Sequence, residues 1–171
     1  MKARGDDDAN VVISEIGVDR LEAVRDLWLA LHRYHREIGS HPLVADEDFS
    51  WQQRRAQYER RLEAGDAVLL LAERDREPVG YVMAHLQNGP DDTYPLGERY
   101  AEIYTLSVAP GYRGQGIGGL LMDSIETRLG ELGIQDIAVS AMVENTSALR
   151  FYARRGFAPR EVMHYRFGRS T

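Results

Sequence analysis

The chain has 171 residues, with 21 Lys and Arg against 27 Asp and Glu for a formal net charge of −6, and it has no cysteine. That length suits one domain with a real core, and the lack of cysteine excludes disulfides, a thiolate zinc site and a cysteine acyl-enzyme. The acidic balance argues against a nucleic-acid partner and suits a cationic small molecule, although solubility alone explains it at least as well. Residues 1–10, MKARGDDDAN, read as a disordered tail and, with no apolar core, not as a signal peptide. The apolar run 67–72 is too short to span a bilayer, so no membrane partner and a cytoplasmic location are expected.

Residues 11–16 alternate weakly and predict the first strand. Over 18–38, Leu21, Val24, Leu27, Trp28 and Leu31 recur at helical spacing, with Asp19 as cap or first-turn residue. The sequence Gly39-Ser40-His41-Pro42 breaks that helix. A second helix is expected over 47–64, ending at Gly65, on a face that mixes Phe49, Trp51, Ala56, Tyr58 and Leu62 with many arginines. Residues 67–73 and 79–87 predict a hairpin turning near Asp75-Arg76-Glu77-Pro78. The segment 88–97 is a polar loop of turn formers, and 100–108 is the next strand. A glycine-rich run then leads into an amphipathic helix whose stripe is Ile117, Leu120, Leu121, Ile125, Leu129 and Leu132, closed by Gly130 and Gly133. Residues 136–142 predict a short buried strand. A helix follows over 145–155, capped by Asn145 or Ser147 and closed by Gly156, and 161–167 predict a last strand. The order β-α-α-β-β-β-α-β-α-β predicts an α/β layered domain over 11–171, with a mixed sheet of about six to seven strands and about four helices on both faces.

The run Arg113-Gly114-Gln115-Gly116-Ile117-Gly118-Gly119 carries the chemistry most directly. Glycines admit positive φ and close approach of a ligand. The helix N-terminus behind them offers unpaired N–H groups and the positive end of its dipole, a combination that suits a phosphate or pyrophosphate. A P-loop is excluded because Leu120, not Lys, follows Gly119. The run also fits G-x-G-x-x-G, but Ala109 to Arg113 separate it from the strand and too little chain follows for a dinucleotide-binding sheet. A tight strand–helix turn without a ligand is the plain alternative.

In the strand 100–108, Glu102, Tyr104, Leu106 and Val108 share one face if no bulge intervenes. The Glu102 carboxylate then lies near the end of any ligand running along the strand, where it can take a proton from an amine, directly or through water; an edge carboxylate or an ion-pair partner is the alternative. His32 and His35 stand three apart on a helix without a carboxylate at metal-site spacing, so no metal is expected. Arg150, Arg154 and Arg155 either reach a phosphate or form a solvated face.

Two motifs resemble those of the GNAT N-acetyltransferases. The run 113–118 is similar to that superfamily's R/Q-x-x-G-x-G/A pyrophosphate loop for coenzyme A. The stretch 145–157 fits N-x-x-A-x-x-x-Y-x-x-x-G-F, similar to its second signature. The order of elements resembles the GNAT fold from Val11 onward, most specifically between Glu102 and Phe157. The resemblance implies an acetyl-CoA-dependent N-acetyltransferase, without metal, that passes the acetyl group directly to an amine in a ternary complex.

It also implies residue roles. Leu106, Ser107 and Val108 pair their backbone with the pantetheine arm in a gap where this strand splays from the next, and an amide near Leu106 polarises the thioester carbonyl. Arg113, Gly114, Gln115, Gly116, Ile117, Gly118 and Gly119 hold the diphosphate. Asn145 either bonds the pantetheine or caps its helix. Glu102, in a similar E-I-x-x-L-x-V context, is the general base, and Tyr152 protonates the departing sulfur. The loop that holds His41 lines the acceptor pocket in the family, and Tyr34, His41, Tyr94 and Tyr104, with Asp91 and Asp92, are the candidate acceptor contacts; for Asp91 and Asp92 a solvated turn is the alternative. For 106–108 ordinary sheet pairing is the alternative, and for Tyr152 a half-buried aromatic on a helix face. A homodimer is compatible with the resemblance. The second functional class is a non-catalytic acyl-CoA sensor, for which Glu102 and Tyr152 would be dispensable. The acceptor itself is left open.

Overall fold

A computed structural model describes residues 11–168; the tail expected at 1–10 lies outside them. Its strands are β1 Val11–Glu15, β2 Ala67–Arg74, β3 Glu77–Asn88, β4 Arg99–Val108 and β5 Ile137–Val139, in one sheet of that spatial order. The first four pair antiparallel and β5 runs parallel to β4. Asp75 and Arg76 turn the β2–β3 hairpin, both at positive φ (52° and 68°), the geometry that matches the twist of the flanking strands. The helices are α1 Arg25–Ile38, α2 Glu47–Glu63, α3 Ile117–Glu131 and α4 Thr146–Arg154, with 3-10 helices at Val18–Val24 and Pro110–Tyr112.

Both faces of the sheet are covered. On one face Leu69, Leu71, Tyr81 and Met83 pack against Leu21, Val24, Leu27, Trp28, Trp51 and Tyr58, which come from the first 3-10 helix, α1 and α2. On the other, Val68, Leu70, Val82, Ala84 and Ile103 pack against Ile117, Leu121, Met122, Ile125 and Leu129 of α3. The alternation along β2 feeds both cores, which is why that strand reads as an unbroken apolar run. Gly80 brings α3 down onto the sheet: a Cβ there would sit 3.0 Å from the Ser107 carbonyl oxygen and 3.1 Å from Leu121 Cδ1.

Several expectations change. Among the described residues the sheet has five strands, not six or seven. Residues 161–167 form no strand; Val162, Met163, Tyr165 and Phe167 there are exposed. The strand expected over 136–142 contracts to Ile137–Val139. The first helical stretch opens as a 3-10 helix, whose three-residue repeat also aligns Leu21 and Val24; Asp19 is in its first turn, the second of the two roles expected of it. Asn145 does cap α4, its Oδ1 accepting from the Ala148 amide at 3.1 Å. No helix among the described residues is long and apolar enough to cross a membrane.

Candidate active site

A bulge in β4 sets the geometry. Met83 pairs with Thr105 and Ala84 with Ile103, so Tyr104 is an extra residue with no opposite number on β3. Such a bulge re-aims the side chains that follow it. Ala101 and Ile103 face α3, and beyond the bulge it is Leu106 and Val108 that do so. Thr105 and Ser107 turn to the α1–α2 face, where the Tyr58 hydroxyl donates to Thr105 Oγ1 at 2.6 Å and Ser107 Oγ donates to the Leu27 carbonyl at 2.9 Å. The expectation that Glu102, Tyr104, Leu106 and Val108 share one face is therefore corrected: Glu102 and Tyr104 lie on the α1–α2 side, Leu106 and Val108 on the α3 side.

The same strand loses its outer neighbour at the bulge. β5 pairs with β4 only at Ala101, Glu102 and Ile103. Beyond the bulge, alternate residues of β4 address β3, as the Ala109 amide does in donating to the Val79 carbonyl at 2.9 Å, so Leu106 and Val108 direct their backbone groups to the open side. Arg113 Nε donates to the Val108 carbonyl at 3.2 Å there, and its guanidinium lies 5.0 Å from the centre of the Tyr34 ring.

The open edge leads into the glycine turn. Gly114 and Gly116 have φ of 78° and 85°, and Gly116 is the N-cap of α3 with no side chain to satisfy the first amides. A Cβ built on Gly114, Gly116 or Gly119 meets nothing within 4 Å. Uncapped amides, the dipole of a 15-residue helix and backbone open to close approach fit a diphosphate. The Gln115 side chain is engaged in the turn itself, accepting from Arg74 at 2.9 Å and donating to the Gly111 carbonyl at 3.1 Å.

Helix α4 flanks the opening. A Cβ on Gly118 would meet both Phe151 Cζ and Val108 Cγ2 at 3.8 Å, so Phe151 stands beside the free edge. Tyr152, half-buried, lies edge-on to Phe151 and Phe157, and burial pushes its phenol up to about 12. Arg155 does not reach toward a phosphate; it ties α4 to α3 through Asp123 at 2.6 Å and Glu126 at 3.0 Å.

The acceptor candidates divide. Tyr34 lies under Arg113. His41 faces Phe167 at 6.2 Å between ring centres. Tyr94 donates to Glu161 at 2.7 Å, and Asp91 accepts from the Thr93 and Tyr94 amides. Tyr104 adjoins Glu102 across the His85 pairing, and Glu102 accepts from Ser140 Oγ at 3.3 Å. Around Tyr104 are residues that sequence reasoning passed over: Arg54, Gln57 and His85. For Arg54 the signal was charge on the sheet-facing stripe of α2; His85 lies on β3 and Gln57 is uncharged, and neither carried one. His32 has a structural role, its Nε2 2.7 Å from the Val44 carbonyl and its ring stacked on Trp28.

A model of the acetyltransferase (GNAT) family matches residues 22–157. Over 94 residues the chain is 36% identical to a mycothiol acetyltransferase of Cellulomonas flavigena, a match covering 54% of this chain and 27% of that relative. The chain thus spans little more than a quarter of that relative's length. A GCN5-related N-acetyltransferase of Ralstonia eutropha JMP134 superposes with a TM-score of 0.74 at 24% identity, over 92% of this chain and 98% of that one. A predicted acetyltransferase of Clostridium acetobutylicum, determined with acetyl-CoA, does so with a TM-score of 0.71 at 15% identity, over 91% and 96%. At such identities the superpositions speak for the fold.

Proposed function

The chain belongs to the GNAT acetyltransferase family, and from that premise we propose that it is an acetyl-CoA-dependent N-acetyltransferase acting on an amine in a ternary complex. One observation carries the reading: the edge of β4 freed by the early end of β5 leads, through the 3-10 turn Pro110–Tyr112 and the glycine run, to the uncapped N-terminus of α3. An extended arm with amides can pair along such an edge as a strand would, and its diphosphate then meets the turn amides. When bound, acetyl-CoA supplies the activated acetyl group.

The chain's own residues do the rest. Leu106 and Val108 orient the arm, and the Leu106 amide donates where negative charge develops on the carbonyl. Glu102, on the opposite face at the bulge, takes the proton of the incoming amine. Tyr152 donates to the departing sulfur. With no cysteine in the chain, direct transfer is the route, and most of the rate comes from holding both reactants in line.

Free-thiol release from acetyl-CoA with an amine panel tests this. Amine-dependent release and saturable acetyl-CoA binding are expected. Binding without any amine-dependent release would instead favour the non-catalytic sensor.

A further inference from the structure

Beside the Trp51 and Tyr58 that helix α2 buries on the sheet, it places polar side chains next to the bulge. Arg54, Gln57, Tyr58 and Arg61 recur at three- and four-residue spacing, so they share a face. The Arg54 guanidinium lies 3.8 Å from the centre of the Trp28 ring and 4.7 Å from that of Tyr104. Gln57 Nε2 donates to the Tyr104 hydroxyl at 2.9 Å. Beneath them His85, 1% exposed, stacks on Tyr104, and its Nε2 has no hydrogen-bond partner. Among the described residues Arg54 and Arg61 have no carboxylate partner, as Arg36 and Arg60 have none, whereas Arg25, Arg33 and Arg55 on the same helix pair each have at least one. Burial first, then Arg61 and Arg54, pushes the His85 imidazole down to about 4, and burial with His32, Arg54 and Arg113 pushes His35 down as well. The patch is positive within a chain of net charge −6, opposite to what the overall acidity suggests for the acceptor.

A half-buried guanidinium against aromatic faces, with no acid on its edge, suits a planar anion. In the β3–β4 register His85 is the partner of Glu102, so the two side chains lie side by side on this face. Cations for an anion and a carboxylate for an amine thus lie together at the bulge. We propose that Arg54 and Arg61 bind the carboxylate of the acceptor, which is a small amine bearing a carboxylate group. This inference rests on the acetyltransferase reading.

The test is thiol release by the full chain with acetyl-CoA and paired acceptors: glycine, β-alanine, 4-aminobutanoate and glutamate, each against its C-terminal amide, with a polyamine alongside. At least one acid is expected to exceed its amide in kcat/KM by about tenfold or more, the range of a charge-assisted hydrogen bond. Arg54→Gln should bring that ratio near one by raising the acceptor KM, with the acetyl-CoA KM unchanged, and Arg54→Lys should keep part of it. Arg61→Gln carries the same test if Arg54→Gln does not fold. Amides or the polyamine used as well as the acids, or variants that depress acid and amide alike, would overturn the inference and leave the acetyltransferase reading standing. No turnover with any amine would overturn both.

Discussion

His85 and Tyr104 stack with 4.1 Å between ring centres and 19° between planes, at the point where β4 gains a residue over β3. The bulge would otherwise leave the extra side chain without a cross-strand neighbour. The stack gives it one, and the hydroxyl held by Gln57 fixes its outer end. The change of face that sends Leu106 toward α3 and Ser107 toward α1 is thereby anchored on the side where Glu102 stands.

The stack has a pH signature. Burial, with Arg61 and Arg54, holds the His85 imidazole down at about 4, whereas in the unfolded chain it ionises near ~6.5. Between these values the unfolded chain binds the additional proton, so stability falls as pH falls through the window, by up to about 3 kcal/mol at its foot. Urea midpoints measured from about pH 7 to about pH 4 should decline in the wild type and decline less in His85→Phe, which keeps the ring and removes the titration. Parallel curves would show that this imidazole does not titrate as its burial implies.

Thr105 reports the bulge directly. The Tyr58 hydroxyl donates to Thr105 Oγ1 at 2.6 Å and lies 3.2 Å from the Tyr81 hydroxyl, all of it buried. Thr105→Val strips the acceptor from a buried phenol and should cost about 1–3 kcal/mol, while Thr105→Ser should recover most of that. Were β4 regular, this side chain would point at α3 and valine would cost nothing in denaturant titration.

The bulge was not legible in the sequence, because buried and half-buried residues alternate straight through β4 and the exchange of faces leaves no break in the pattern. The glycine turn and α3 were legible, since positive φ demands glycine and the Ile117–Leu121–Ile125–Leu129 stripe has one helical reading, though Leu120, expected on that stripe, is exposed. The segment 161–167 has strand composition, but β pairing needs an available partner rather than propensity alone, and here its apolar side chains are exposed. The sequence of α2 shows a mixed face but not its meaning: which arginines find carboxylates and which lie over rings is decided by α1 and β4.

Two neighbouring glycines should respond with opposite signs. Gly116 has φ of 85° at the N-cap, where alanine costs about 1–2 kcal/mol. Gly119, inside the first turn of α3 with nothing within 4 Å of an added Cβ, should gain about 0.5–1 kcal/mol from Gly→Ala through helix propensity. Thermal unfolding should lower Tm for Gly116→Ala and raise it for Gly119→Ala. A rise in acetyl-CoA KM is expected for Gly116→Ala, whose change disturbs the amides that the proposed site uses. An unaltered KM would detach the turn from cofactor binding.

Glu102 and Tyr152 should fail differently. With the phenol pushed up to about 12 by burial and an ordinary thiol ionising near ~8.5, complete transfer of its proton to a departing thiolate is uphill by a factor of about 10³. Donation of a hydrogen bond to that sulfur carries no such penalty, and is the role the protonation state supports. Tyr152→Phe is therefore expected to lower kcat by about ten- to a hundredfold, with acceptor KM and the alkaline limb of the pH profile unmoved, because nothing that titrates in the working range has been removed. Glu102→Gln removes the group that must be ionised to accept the amine proton. It should lower kcat/KM by about 10²–10⁴ and abolish the acidic limb. A Tyr152→Phe enzyme of full turnover would take that residue out of the reaction, and a Glu102→Gln enzyme with its acidic limb intact would move the base elsewhere on the α1–α2 face.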